Sequence, residues 1–187
     1  MSRQFLTLAN QLTLVRLALI PFFVIAVLNR RYGWGLAVLL AAGLSDALDG
    51  LLARALKQRT PLGAYLDPIT DKLLLSTAFV ILAVQGDVPW TVSVLVLGRD
   101  VLILAVALAI IIGAGWRPFP SSVYGKISTV TQVLTVGVVV LVRVWPHGAV
   151  AWAKDVLIWL TVAITLASGI HYAWRTGKVL PDIPPKA

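Results

Sequence analysis

Long apolar stretches separated by short polar segments make up most of the chain. A helix needs about 20 mainly apolar residues to cross the hydrocarbon core of a bilayer. Six stretches reach or approach that length, and each is bounded by residues that favour turns. We therefore predict an all-α integral membrane protein with six transmembrane helices, in a single domain over residues 1–187. The predicted spans are 12–29, 34–55, 67–85, 91–113, 126–145 and 150–172.

The two ends of the chain have a different pattern. Arg3 comes early, and Arg16 interrupts the apolar run that follows. Because no small-residue cleavage site of a signal peptide comes after this run, we predict a short N-terminal interfacial helix that leads into the first span. Residues 175–187 are polar and rich in proline, so we predict irregular structure there.

The composition agrees with a membrane protein. Hydrophobic residues make up 59% of the chain and charged residues 13%, against about 45–50% and about 25% in soluble domains. The formal net charge is +8, but no basic run interleaved with aromatic residues indicates nucleic-acid binding. The absence of cysteine excludes a disulfide framework and a cysteine metal site. The charge therefore points to anionic lipid surfaces as partners.

The distribution of Lys and Arg predicts the orientation of the spans, because cytoplasmic loops carry an excess of these residues. Alternating spans place Arg30, Arg31, Arg143 and Lys154 on one side. The other side has Arg3, Arg54, Lys57, Arg59, Lys72, Arg117, Lys126, Arg175, Lys178 and Lys186. We therefore predict that both termini are cytoplasmic.

Four of the 8 acidic residues fall in the second and third predicted spans. Asp46 and Asp49 lie three residues apart and Asp67 and Asp71 lie four apart, so each pair shares a helix face. The short connection predicts that the two helices are antiparallel neighbours whose acidic faces meet. We call these four residues the carboxylate cluster. An intramembrane aspartate costs about 2.5–3.5 kcal/mol, so the cluster indicates a ligand that offsets its charge.

A divalent cation is the ligand that the carboxylate cluster favours. Oxygen donors without histidine or cysteine suit Mg²⁺, Mn²⁺ or Ca²⁺ better than Zn²⁺. Arg54 and Lys72 would supply two further positive charges beside the cluster. The alternative is a structural role, with interhelical ion pairs or with Asp67 capping the third helix ahead of Pro68.

The stretch "DALDGLLARALKQRTPLGAYLDPITD" joins the two acidic pairs in one pattern. It fits D-x2-D-G-x2-A-R-x8-G-x3-D-x3-D, and this pattern resembles the signature of the CDP-alcohol phosphatidyltransferases. The likeness in length and six-helix layout extends over essentially the whole chain. The matching positions are Asp46, Asp49, Gly50, Ala53, Arg54, Gly63, Asp67 and Asp71.

The resemblance implies an enzyme that transfers a phosphatidyl group from CDP-diacylglycerol to an alcohol and releases CMP. It implies one or two Mg²⁺ or Mn²⁺ ions held by the carboxylate cluster, with Asp71 also acting as general base on the acceptor hydroxyl. Gly50 and Ala53 would let the nucleotide lie close to the second helix, and Arg54 would contact phosphate. The family also implies a homodimer. The distribution of Lys and Arg places the end of the second helix and the start of the third on the cytoplasmic side, so we predict an active site that faces the cytoplasm.

Two further segments resemble one branch of the family. "NQLTLVR" is similar to the start of phosphatidylglycerophosphate synthases and CMP-forming cardiolipin synthases. The residues implied to bind the CDP-lipid are therefore Asn10, Thr13, Arg16, Asp49, Gly50, Ala53, Arg54 and Gly63. The alternative for Arg16 is a side chain that extends towards the membrane interface.

"SSVYGKISTVTQ" resembles the start of the fifth helix in phosphatidylglycerophosphate synthases. The implied acceptor-binding residues are Arg99, Lys126, Thr129 and Arg117. However, Ser128 in place of lysine and Asp100 in place of glutamate resemble the cardiolipin synthases. The acceptor therefore stays open between glycerol-3-phosphate and phosphatidylglycerol. For Arg99 and Asp100, the alternative is a structural ion pair within the fourth helix.

Other functions stay open beside this one. The acceptor could be another alcohol, such as inositol phosphate or serine. A cation transporter would predict broken helices or inverted repeats, and neither is evident in the sequence. A transporter also leaves Gly50, Ala53 and Arg54 unexplained, and the intact carboxylates argue against an inactive subunit.

Overall fold

The computed structural model describes six α-helices joined by short connections. No strand occurs among the residues whose backbone the structure describes, so the predicted all-helical class is confirmed for this part of the chain. The helices are α1 Leu8–Leu28, α2 Tyr32–Ala55, α3 Pro61–Val84, α4 Trp90–Ala114, α5 Val123–Val144 and α6 Gly148–Val179. The described backbone covers 8–55, 61–114 and 123–179, and the described side chains are those of 14–45, 70, 72–105 and 125–172.

Most helix boundaries agree with the predicted spans within a few residues, but three differ. α3 begins at Pro61 rather than at 67. A proline is tolerated in the first position of a helix, because the N–H group that it lacks would have no hydrogen-bond partner within the helix. α6 continues to Val179, so the irregular structure predicted from 175 is wrong for 175–179; no proline interrupts the chain before Pro181. From Leu8 onward the N-terminal segment is one continuous helix, and residues 1–7 lie outside the described residues.

The helices pack as a ring in the order α1, α2, α5, α6, α4, α3, in which each helix contacts its two neighbours. α3 also contacts α5 across the ring. The direct contact predicted between α2 and α3 does not occur among the residues whose packing is described. Instead, α1 packs against both helices on one side, and α5 contacts both on the other.

The middle of the ring is an apolar core built from five of the helices. Its fully buried side chains include Phe23, Val27, Ala78, Phe79, Leu82, Val96, Val136 and Val140. Large apolar side chains also cover the outside, and Trp34, Trp152 and Trp159 are each about two thirds exposed or more.

Two of the described helical segments are long and apolar enough to cross a membrane, Gly125–Val144 and Gly148–Tyr172. The other apolar segments in the described ranges are shorter: Leu14–Leu28, Tyr32–Ser45 and Lys72–Val84. The described part of the fold is therefore all-helical, and two of its helical segments could span a bilayer.

The end of α3 is a hydrogen-bonded turn that fixes the position of Asp87. The Gly86 N–H donates to the Ala83 carbonyl at 3.0 Å, and the Asp87 N–H donates to the Leu82 carbonyl at 2.8 Å. Gly86 has φ 76°, the left-handed conformation that this type of helix end requires. α1 ends in the same way with Arg30 at φ 56°.

Candidate functional site

The carboxylate cluster is divided between two helices that flank α1. Asp46 and Asp49 lie in α2, and Asp67 and Asp71 lie in α3. Their spacing on continuous helices puts each pair along one face. Their side chains lie outside the described set, so the meeting of the four carboxylates stays a prediction. Since α1 and α5 contact both helices, these two helices bound any space between α2 and α3.

Several other predicted site residues also lie outside the described side chains. They are Asn10 and Thr13 in α1, Gly50, Ala53 and Arg54 in α2, and Gly63 in α3. Arg117 lies between α4 and α5, outside the described residues.

Arg16 is buried inside the ring. Only 1% of this residue is exposed, and it belongs to α1, the helix that packs against both α2 and α3. The alternative in which its side chain extends to the membrane interface is therefore wrong. A buried guanidinium is costly unless anions or acceptors compensate it. The predicted role of Arg16 in holding the cytidine diphosphate stays a prediction.

Asp100 makes two short ion pairs, one with Lys72 of α3 and one with its neighbour Arg99 in α4. Its Oδ1 atom accepts hydrogen bonds from Lys72 Nζ and from Arg99 Nη1, each at 2.6 Å. Arg99 also donates from Nη2 and Nε to Ser168 Oγ of α6, at 2.9 and 3.3 Å. The side chains of Arg99 and Asp100 are 6% and 8% exposed. The ion pair within α4, which the sequence left open as the alternative role of Arg99 and Asp100, is therefore present. It also contacts Lys72 of α3 and Ser168 of α6. We call Lys72, Arg99, Asp100 and Ser168 the Asp100 cluster.

The position of Lys72 differs from our expectation. We expected its charge, with that of Arg54, to offset the carboxylate cluster. Consecutive residues of a helix point about 100° apart, however, and the Lys72 ammonium reaches Asp100 on α4. The role of Ser168 was also missed, because nothing in the sequence relates a serine of the last helix to Arg99.

A cavity of about 190 Å³ lies beside the Asp100 cluster, and we call it the basic cavity. Three of the four predicted acceptor-binding residues, Arg99, Lys126 and Thr129, line it together. Thr129 is fixed by a hydrogen bond of 3.1 Å that its Oγ1 donates to the Gly125 carbonyl. The lining residues come from four helices: Lys72, Arg99, Ile103, Gly125, Lys126, Thr129 and Tyr172.

The charges around the basic cavity favour an anionic ligand. Among the described side chains, three cationic ones line it, Lys72, Arg99 and Lys126, and Asp100 offsets one of them, which leaves a formal charge of +2 for this set. Lysine and arginine side chains that converge in this way bind phosphate groups through charge-assisted hydrogen bonds. The cavity can therefore hold a phosphate-bearing molecule.

A second buried carboxylate lies at the opposite end of the ring. Asp87 Oδ2 accepts a hydrogen bond of 2.7 Å from Tyr32 Oη, and Oδ1 accepts one of 2.6 Å from Arg143 Nε. Arg143 Nη2 pairs with the same Oδ1 atom, and its guanidinium lies 5.8 Å from the centre of the Tyr32 ring. This Asp87 cluster joins the start of α2, the α3–α4 connection and the end of α5. These three chain segments therefore lie at one end of the ring.

The Asp87 cluster changes the acidity of Tyr32, which precedes the predicted second span. Burial raises the pKa of the Tyr32 hydroxyl above its usual value of 10.0, and the hydrogen bond and charge of Asp87 raise it further. The positive charges of Arg143 and Arg30 act in the opposite direction. The hydroxyl therefore stays protonated over a wider pH range than in an exposed tyrosine.

Asp87 also lines a larger cavity of about 600 Å³, which lies between the α3–α4 connection, the start of α4 and α6. Its walls include Trp90 and Trp159 and the ion pair of Lys154 with Asp155, at 3.3 Å. Among the described residues, none of those predicted for the site lines it. Its charged walls have one cation, Lys154, and two carboxylates, Asp87 and Asp155, so it has no excess of positive charge for a phosphate.

Comparison with known proteins gives the same family as the motif. Residues 6–167 match the family described as CDP-alcohol phosphatidyltransferase. A protein of Mycobacterium tuberculosis (strain ATCC 25618 / H37Rv) named "Putative cardiolipin synthase" is 38% identical over 183 residues, which cover 96% of this chain and 87% of that protein.

Two further relatives are named after the other predicted reaction, the one with glycerol-3-phosphate as acceptor. A protein of the same strain named "Probable phosphatidylglycerophosphate synthase" is 35% identical over 177 residues, covering 90% of this chain and 80% of that protein. A Bacillus subtilis (strain 168) protein named "CDP-diacylglycerol--glycerol-3-phosphate 3-phosphatidyltransferase" is 30% identical over 190 residues, covering 92% and 96%. The resemblance carried by the motif is thus confirmed by the family match and by relatives of nearly full length. The chain belongs to the CDP-alcohol phosphatidyltransferase family.

Proposed function

We propose that the chain transfers a phosphatidyl group from CDP-diacylglycerol to the hydroxyl of a glycerol-based acceptor and releases CMP, in phospholipid biosynthesis. Glycerol-3-phosphate as acceptor gives phosphatidylglycerophosphate, and phosphatidylglycerol gives cardiolipin. The observation that carries the proposal is the complete family motif, which falls in α2 and α3 on either side of α1. The family match and the names of the three relatives support the same reaction.

In the proposed reaction the acceptor hydroxyl attacks the phosphorus atom next to the diacylglycerol. A P–O bond forms to the acceptor, and the bond from this phosphorus to the CMP oxygen breaks, so CMP leaves with the electron pair. Asp71 accepts the proton of the hydroxyl. Because a carboxylate is a weak base for an alcohol, the positioning of the two substrates contributes much of the acceleration.

The carboxylate cluster would hold one or two Mg²⁺ or Mn²⁺ ions. Asp46, Asp49, Asp67 and Asp71 offer only carboxylate oxygens, and this donor set fits those ions. A bound ion would offset the charge of the diphosphate and of the departing CMP. We expect a chelator to reduce CMP release to background and added Mg²⁺ or Mn²⁺ to restore it. Full activity in chelator would contradict the metal site.

The donor site would have α1 as one wall. Arg16 is buried there, and Thr13 and Asn10 lie three and six residues before it along the helix. We propose that these three residues hold the cytidine diphosphate. The other proposed contacts to the CDP-lipid come from α2 and α3: Asp49, Gly50, Ala53, Arg54 and Gly63.

The basic cavity would receive the acceptor. Glycerol-3-phosphate and the headgroup of phosphatidylglycerol both carry a phosphate, which the formal charge of +2 attracts. Serine as acceptor carries no phosphate, and its carboxylate is accompanied by an ammonium group, so its net charge does not complement these cations. Arg99, Lys126 and Thr129 would contact the acceptor, and Arg117 is proposed as a fourth contact from the sequence alone.

The protein would span the membrane six times, with both termini and the active site on the cytoplasmic side. The excess of Lys and Arg on that side supports this orientation. The Asp87 cluster supports helices that run alternately up and down. It brings the start of α2, the α3–α4 connection and the end of α5 together at one end, as expected if all three lie on the opposite side of the membrane. The family resemblance supports a homodimer, which crosslinking of the purified protein in membranes would detect.

The direct test is to incubate the purified full-length protein with CDP-diacylglycerol and each candidate acceptor, and to measure CMP and the lipid product. We expect CMP release that depends on the acceptor, together with phosphatidylglycerophosphate or cardiolipin. The rival function is a cation transporter that uses the buried carboxylates. Uptake of a cation into liposomes without release of CMP would favour the transporter.

A further inference from the structure

We propose that Asp100 is a positioning residue for the acceptor. Its carboxylate holds Lys72 and Arg99 side by side at the wall of the basic cavity, so that an anionic group of the acceptor meets two fixed cations. This inference rests on the proposed function, because it takes the acceptor to enter the basic cavity.

The geometry of the Asp100 cluster is the first support. Lys72 and Arg99 come from different helices, and both donate to the same oxygen, Asp100 Oδ1, at 2.6 Å. Their donor nitrogens therefore lie within about 5 Å of each other, where two positive charges repel strongly in a medium of low dielectric constant. The shared carboxylate is what allows the two cations to stay together.

The donors that stay available are the second support. An arginine has five N–H groups and a lysine three. Among the described contacts, Arg99 uses one to Asp100 and two to Ser168, and Lys72 uses one to Asp100. Two N–H groups of each side chain remain to bind an anion in the cavity that both residues line.

The burial of the cluster is the third support. The side chains of Asp100 and Arg99 are less than a tenth exposed, whereas that of Lys72 is 28% exposed. Arg99 is held on a second side by Ser168 Oγ at 2.9 Å. Lys72 has only Asp100 as a partner in the described part of the chain, so its position depends on that carboxylate.

Two explanations of Asp100 predict opposite effects of its removal. If Asp100 only lowered the charge of the cavity, Asp100→Asn would raise the formal charge from +2 to +3 and strengthen the binding of an anionic acceptor. If Asp100 positions the two cations, the same substitution makes Lys72 and Arg99 repel each other. Lys72 then turns towards solvent, and acceptor binding becomes weaker.

The experiment uses the full-length protein with CDP-diacylglycerol and the acceptor that the wild type accepts. We expect Asp100→Asn to raise the KM for the acceptor by about tenfold or more, the loss typical of one charge-assisted hydrogen bond. The KM for CDP-diacylglycerol should stay within about twofold, because the donor is not bound by this cluster. Asp100→Glu keeps the charge and should restore part of the affinity for the acceptor.

Asp87→Asn is the matched control. It removes an equally buried carboxylate that is also paired with an arginine, but at the opposite end of the ring. A general loss of folding would affect both variants, whereas the proposed role predicts a changed acceptor KM in Asp100→Asn only.

An acceptor KM that is unchanged or lower in Asp100→Asn would overturn the inference. If that variant does not fold, Ser168→Ala releases the second contact of Arg99 and should raise the acceptor KM by about threefold, as expected for one weaker hydrogen bond; no change there would also overturn it. If the wild type releases no CMP with any acceptor, the proposed function itself fails. The two failures are thereby distinguished.

Discussion

Asp87 and Asp100 are both buried aspartates that bind an arginine, but their surroundings differ. Asp87 accepts hydrogen bonds on both carboxylate oxygens. Its partners are Tyr32 at the start of α2 and Arg143 at the end of α5. Asp100 receives both of its partners on one oxygen, and they line a cavity. The Asp87 cluster holds the ends of helices together, whereas Lys72 and Arg99 of the Asp100 cluster line the basic cavity.

The comparison shows that a buried ion pair does not by itself mark a functional site. Replacing such a pair by apolar residues is often neutral for stability, while the removal of one partner alone is costly. Asp87 also lines a cavity, so what separates the two clusters is the chemistry of the residues that share that space. The Asp100 cluster shares its cavity with Lys126 and Thr129, which the sequence independently indicated as acceptor contacts.

The largest effect is expected for Asp71→Asn in the carboxylate cluster, compared with Asp87→Asn at the opposite end of the ring. The loss of the general base should reduce turnover by about 10²–10⁴-fold, while binding of the CDP-lipid is largely retained. Asp87→Asn should keep most of the wild-type turnover. CMP release and a separate binding assay with CDP-diacylglycerol measure both. A loss of binding as large as that of Asp46→Asn would make Asp71 a ligand rather than the base.

The next largest effect is expected for the two arginines. Arg99→Met should raise the acceptor KM by about 10–100-fold, because it removes a charged donor from the basic cavity. Arg143→Met removes the arginine of the Asp87 cluster and should leave that KM unchanged. Steady-state kinetics with varied acceptor concentration test the pair. Equal changes in both variants would mean that the two ends do not differ in function.

A moderate effect on stability is expected at the opposite end. Asp87→Asn should lower the free energy of unfolding by about 2 kcal/mol, since it weakens two hydrogen bonds to a buried charge. For a chain of this length, that corresponds to a fall in Tm of about 4–8 °C. Thermal unfolding in detergent measures it. A Tm equal to that of the wild type would show that the cluster does not fasten the three chain segments.

The smallest effect is expected for Tyr32→Phe, which removes one hydrogen bond and should cost about 1 kcal/mol. Because the pKa of Tyr32 is raised in the folded protein, its contribution to stability is complete below pH 10 and is lost as the pH rises through the raised value. Between neutral and strongly basic pH, the free energy of unfolding should therefore decline less steeply in Tyr32→Phe than in the wild type. Parallel curves would contradict the coupling to Asp87.

The sequence was sufficient for the helices and for the family. Apolar stretches of membrane length predict six helices, and fixed spacing within 26 residues predicts the chemistry of the carboxylates. The helix starts differ mainly where a proline begins a helix, as at Pro61, since proline both interrupts and initiates helices.

The order of the helices in the ring and the contacts between distant residues could not be predicted. Apolar side chains occur on all sides of helices that face lipid, so the sequence does not show which face meets which neighbour. Lys72 and Asp100 are 28 residues apart, and Arg99 and Ser168 are 69 apart. No periodic pattern relates such positions, so their pairing is known only from the folded chain.

The contact of α5 with both α2 and α3 has a consequence for the synthesis of the protein. The helices that carry the four aspartates are made early, but the helix that contacts both of them from the second side is made fifth. A nascent chain that ends after α4 therefore lacks one wall of the space between them. Under the proposed function, substrate binding would arise only late in translation, when five of the six helices have been made.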